Sequence, residues 1–263
     1  MDKKPMPSEG KSMEINQAEE MDQATVQRTG DRRLFLTATI LFVLIVVIGF
    51  ARTYYLKGWF GAPPLVSLLV HVHGVVMTAW VVLVATQAWL IRSGNVAVHK
   101  TVGSVGVGLA VLVVVVGFFT AISAAKNGSA SFPPNIPPLA FLAVPFFDLV
   151  MMVVLVGGAI YWRRRPANHK LLMLLALINL LPPALARVPL PGLTALGPLF
   201  FFGVPTLLTL ITLGYDRWRT GTFNRVLALG ALLLIASYPV RLMLAGTETW
   251  MRFAQWLTTF ALV

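Results

Sequence analysis

The sequence predicts an all-α polytopic transmembrane helix bundle of about seven spans, one leading helix followed by three helical hairpins. Three observations lead there. Apolar residues make up 57% of the 263 residues and charged ones 12%, against roughly half and a quarter in soluble domains. Several apolar runs reach about 20 residues, enough to cross a hydrocarbon core of about 30 Å. None of them alternates strictly between apolar and polar positions, as the strands of a lipid-facing barrel do.

The elements follow in order. Residues 1–33 carry six basic and seven acidic side chains and few aromatics, the composition of a disordered tail. The tail is too long and too acidic for a signal peptide, and no small-residue cleavage site follows the first apolar run, so that run is expected to stay as a helix. The spans fall at about 34–56, 64–91, 99–125, 139–161, 169–188, 196–214 and 224–245. The loop NGSASFPPNIPP at 127–138 is rich in Pro, Gly and Ser and reads as an ordered or extended connection. The end, TETWMRFAQWLTTFALV, is too short to span and places Trp250, Phe253, Trp256 and Leu257 near one helical face. It is expected to lie in the outer interface. The chain thus divides into a tail (1–33), a seven-helix domain (34–246) and an interfacial helix (247–263).

The formal charge of +11 does not point to nucleic acid. Beyond residue 33 there are fifteen Lys and Arg against Asp148, Asp216 and Glu248, and most of the bases sit in short loops between apolar runs. Arg92, Lys100, the Arg163–Arg165 run, Arg217, Arg219 and Arg225 fall on one side. That bias predicts a cytoplasmic N-terminus and an outer C-terminus in a bacterial inner membrane. Cysteine is absent, which removes disulfides, thiolate ligands and cysteine nucleophiles.

The three hairpins look alike. Pro64-Leu65, Pro138-Leu139 and Pro198-Leu199 each open an apolar run, and PLAFLAVP (138–145) matches PLFFFGVP (198–205). The following spans begin with His99-Lys100, His169-Lys170 and Asn224-Arg225. Such repeats are common among membrane folds, although Pro at helix starts and bases at inner ends are also generic. At about 1.5 Å per residue, His73 and Asp148 lie at similar depth, roughly 13 Å inside the outer boundary.

Ionisable groups at that depth are expensive unless paired or facing a cavity. His71, His73, Asp148, Arg187 and Arg241 belong to the outer half and suggest a polar pocket for a quinone headgroup, a metal or a small ligand. A packing pair such as Asp148–Arg241 explains them equally well. His71 and His73 are about 200° apart on a helix, so they do not grip one ion together. His73, Trp80 and Gln87 recur every seven residues and form one stripe. His99 and His169 sit at matching inner positions, where they suit either haem ligands or interfacial residues reaching toward headgroups. Gly103, Gly106, Ala110 and Gly117 mark a close-packing face. GSVGVG (103–108) follows no strand and is no dinucleotide fingerprint. Asn179 with Pro182-Pro183 interrupts the fifth span.

LVHVHGVVMTAWVVLVATQAWL, VHKTVGSVGVGLA and NHKLLMLLALINLLPPALARVP resemble bacterial multi-span membrane families of unknown function. These families carry a histidine near the outer end of a span and His-basic helix starts. The pattern, within residues 65–188, is also distantly similar to multi-span b-type cytochromes. That resemblance implies transmembrane electron transfer through haem b, with His73, His99 and His169 as ligands and a quinone or respiratory-chain partner. A departure is that two-haem cytochromes use four histidines in facing pairs. The alternatives are a non-enzymatic assembly factor or structural subunit, and a proton-coupled transporter of small solutes using Asp148.

Overall fold

The computed structural model describes residues 34–261 except 63, 66, 130, 131 and 134; the expected tail lies outside the described residues. Seven helices are long and apolar enough to cross a membrane: α1 (Leu34–Tyr55), α2 (Leu68–Arg92), α3 (Val96–Asn127), α4 (Pro138–Tyr161), α5 (Pro166–Leu185), α6 (Pro198–Thr220) and α7 (Arg225–Ala245). A shorter α8 (Glu248–Thr258) follows. Among the described residues there is no strand. The chain is a helical membrane bundle.

Local chemistry sets the boundaries. Ser67 Oγ accepts from Val70 N at 3.3 Å and caps α2, so this helix starts four residues after Pro64 rather than on it. Asn224 Oδ1 caps α7 by accepting from Val226 N and Leu227 N, both at 3.0 Å. Gly221 ends α6 at φ +65°, the left-handed conformation that glycine takes without a Cβ penalty. Proline breaks two spans. Pro145 has no N–H for Phe141 O, and α4 turns at Leu142 before continuing at Ala143. Pro182 and Pro183 leave Ile178 O and Asn179 O without their i+4 amides. There α5 tightens: Leu180 N bonds Leu177 O at 3.1 Å and Leu181 N bonds Ile178 O at 3.2 Å.

The packing follows the hairpins: α2 lies on α3, α4 on α5, and α7 on α4, α5 and α6. The first helix runs beside the end of α5 and the start of α2. In lipid, helices associate through close packing rather than expulsion of water, and small residues mark the seams. A Cβ on Gly106 would meet Leu83 of α2 at 2.8 Å, and one on Gly117 would meet Leu149 of α4 at 2.9 Å. The core centres on α5, where Leu171, Leu175, Ala176 and Ile178 are buried. An apolar cleft of about 400 Å³ opens on the outside between α3 and α4, lined by Val114, Phe118, Phe146 and Leu149.

The C-terminal helix packs on α3 and on the start of α4. Its buried residues are Trp250, Ala254 and Leu257, and Trp250 Nε1 donates to Leu139 O at 2.8 Å. Trp256 is 54% exposed. Phe253 is exposed as well, so part of the aromatic face stays outside the bundle.

Candidate functional site

The structure distributes the polar membrane residues over three places. The first is a core ion pair between α4 and α7. Arg241 is fully buried and donates Nη1 to Asp148 Oδ1 at 2.5 Å. The guanidinium also donates to Ser237 Oγ at 2.9 Å, Ser237 O at 3.2 Å and Val144 O at 3.4 Å. Phe202 and Tyr238, stacked at 4.9 Å, and Phe147 flank it as cation–π partners. Asn179 Nδ2 reaches across from α5 to Asp148 O at 2.9 Å. Three helices are tied at one point. Ser237 was not among the expected residues; its position one turn before Arg241 is the available signal.

The second place is the junction of α1, α2 and α5. His73 is close enough to Arg187 to feel its charge. Arg187 Nη1 donates to Pro183 O at 2.7 Å, and its guanidinium lies 4.9 Å from the Phe50 ring centre. Burial pushes this guanidinium down from its ordinary pKa. The last turn of α1, Ala51–Tyr55, is a π-turn. It brings Tyr55 Oη to 3.2 Å from Thr78 Oγ1 and packs Tyr54 so closely that Gly74 has no room for a Cβ. His71 points to the exposed side, its ring 6.1 Å from that of Tyr54. His71 and His73 therefore part company, as their spacing predicts. Within the described residues, His73 Nδ1 and, further along the same stripe, Trp80 Nε1 are buried without a hydrogen-bond partner.

The third place is at the opposite end. His99 near the start of α3 and His169 near the start of α5 meet edge to face, ring centres 6.4 Å apart and planes at 81°. His169 Nδ1 donates to Ala159 O at 2.8 Å. A carbonyl only accepts, so the proton is on Nδ1 and Nε2 is left as the ring's lone-pair nitrogen. Gln87 brackets the other ring. With its amide turned to satisfy both ends, it donates to His99 Nδ1 and, at 3.2 Å, to His99 O, while its oxygen accepts from Gly103 N at 2.8 Å. Turned over, the amide would set its oxygen against His99 O and its NH2 against Gly103 N–H, so one orientation is favoured. Gln87, expected as a ligand-pocket residue on the His73 stripe, thus joins His99 and His169 at this end.

The donor set fits a haem in part. Among the described residues no three His, Asp or Glu side chains converge on a metal ion, but porphyrin iron needs only two protein ligands. His169 has the arrangement that orients a ligating imidazole, its Nδ1–H held and Nε2 free, whereas His99 Nδ1 accepts from Gln87 and would have to give up that bond to ligate through Nε2. The 6.4 Å ring separation is within reach of one metal bonded to two nitrogens at about 2 Å each. No protein-family model, curated protein or solved structure matches this chain.

Proposed function

We propose that this protein is a redox-linked component of the bacterial inner membrane that holds a b-type haem between His99 and His169. The carrying observation is the facing pair of imidazoles, with His169 Nδ1 held by Ala159 O and its Nε2 free. Bound haem supplies one-electron transfer at the cytoplasmic side. The protein's own part is to aim the two rings. Ala159 O fixes the His169 ring, and Gln87 contacts His99 and Gly103 across the α2–α3 seam. The basic loops around the cluster, Arg92, Lys100 and Arg163–Arg165, support an inside position under the charge bias of membrane insertion. A quinone or another respiratory-chain carrier is the natural exchange partner in the bilayer.

The transporter alternative asks Asp148 to exchange protons. Its carboxylate is bonded to Arg241 and tied to α7, a better arrangement for pinning helices than for cycling between states. The assembly-factor alternative needs no cofactor.

A dithionite-reduced minus oxidised visible spectrum of detergent-purified protein, made with ample haem, separates these readings. A b-type α-band and Soret that vanish in His99→Ala and His169→Ala are expected. A featureless spectrum from folded protein would remove the haem reading and leave the assembly factor in front.

A further inference from the structure

Arg187 stands out because of its missing counter-ion. The described residues contain three carboxylates. Asp148 is bonded to Arg241, Glu248 to Arg252, and Asp216 acts on Lys170. None is left for Arg187. Its hydrogen bond is to one backbone carbonyl, Pro183 O, while the guanidinium carries five N–H donors. The side chain is half-buried, so donors that the chain does not use stay open to a ligand.

The surroundings are built with care. Gly49 of α1 lies against Ala184 O so closely that a Cβ there would overlap the carbonyl. That approach is what sets Phe50 against Arg187. The π-turn that follows, a feature frequent at functional sites, turns Tyr54 and Tyr55 toward α2. The third wall is His73, whose buried Nδ1 has no partner among the described residues. An unpaired cation and an unpaired ring nitrogen therefore share one junction of three helices.

We propose that this junction is an oxyanion site, in which Arg187 binds a carboxylate or phosphate oxygen and His73 Nδ1 supplies a second hydrogen-bonding contact. The ligand is either the headgroup of an anionic lipid or a small soluble anion. The proposal does not depend on haem at the inner end.

The test uses full-length protein in a neutral detergent and follows its unfolding midpoint. Three probes are titrated: inorganic phosphate, acetate and dihexanoyl phosphatidylglycerol, with dihexanoyl phosphatidylcholine as the zwitterionic control. A saturable rise with at least one anionic probe is expected, absent with the control lipid. Arg187→Gln should abolish it, Arg187→Lys should weaken it, and Arg252→Gln should leave it intact. His73→Ala should weaken apparent affinity about tenfold, the scale of one hydrogen bond to a charged group. A rise with the lipid alone assigns the headgroup; a rise with phosphate or acetate assigns a soluble anion. No saturable rise with any anionic probe, or an equal rise in Arg187→Gln, would overturn the proposal. Should Arg187→Gln fail to fold, Arg187→Lys and His73→Ala carry the same decision.

Discussion

Two arginines reach into this bundle, Arg241 fully buried and Arg187 half-buried, and they live in opposite circumstances. Arg241 has a carboxylate, a hydroxyl, two carbonyls and three aromatic rings around it. Arg187 has one carbonyl and one ring. The first is a closed set of interactions internal to the fold. The second is half of a set. A charge whose partners are all supplied by the chain serves packing; one whose partner is not supplied keeps the capacity to bind.

The largest expected effect breaks the closed set. Arg241→Ala should destabilise the bundle by about 3–5 kcal/mol, since it strands Asp148 without its cation. Unfolding in mixed detergent–SDS micelles measures this, and a loss under about 1 kcal/mol would mean the pair does little for the fold. Arg187→Met should do the reverse in ligand-free protein, leaving stability unchanged or higher, because it removes an unpaired charge. Replacing both members of the pair, Asp148→Leu with Arg241→Met, should recover most of the single-variant loss, as apolar replacement of buried ion pairs commonly does.

A smaller effect sharpens the contrast at the seams. Gly49→Ala should cost about 1–3 kcal/mol, the range for overpacking, because the methyl meets backbone at Ala184. Gly108→Ala, with open space around it, should change the midpoint little. The smallest effect belongs to Glu248→Gln. That i,i+4 pair with Arg252 is about four-fifths exposed on both sides, and its removal should be undetectable in the same unfolding assay.

The spans were legible because length and apolarity decide them. Seven runs were expected and seven helices appear, with ends shifted by a few residues where a cap or a Pro-Pro step intervenes. The partnership of Asp148 and Arg241 was also legible, since a buried acid and a buried base seek each other. The division of the remaining residues was not. Sequence spacing places His73, Trp80 and Gln87 on one stripe of α2, but a helix of 25 residues spans the bilayer, so one stripe serves two different ends. Which neighbour lies at each end depends on helix order, and that is a tertiary property. The role of Phe50 beside Arg187 depended on a π-turn and a glycine contact that no periodicity announces.

The burial of α5 has a consequence for how the protein is made. It is the least apolar of the seven spans and the one most enclosed by the others, and its last turn is broken by two prolines. As a lone segment leaving the insertion machinery, it would present Asn179 and loosened carbonyls to hydrocarbon, where unsatisfied polar groups are costly. It becomes comfortable only beside α4, whose Asp148 carbonyl receives the Asn179 amide. Biogenesis should therefore deliver these two helices to the bilayer together, with the stable topology of the chain decided only once the fourth and fifth segments have met.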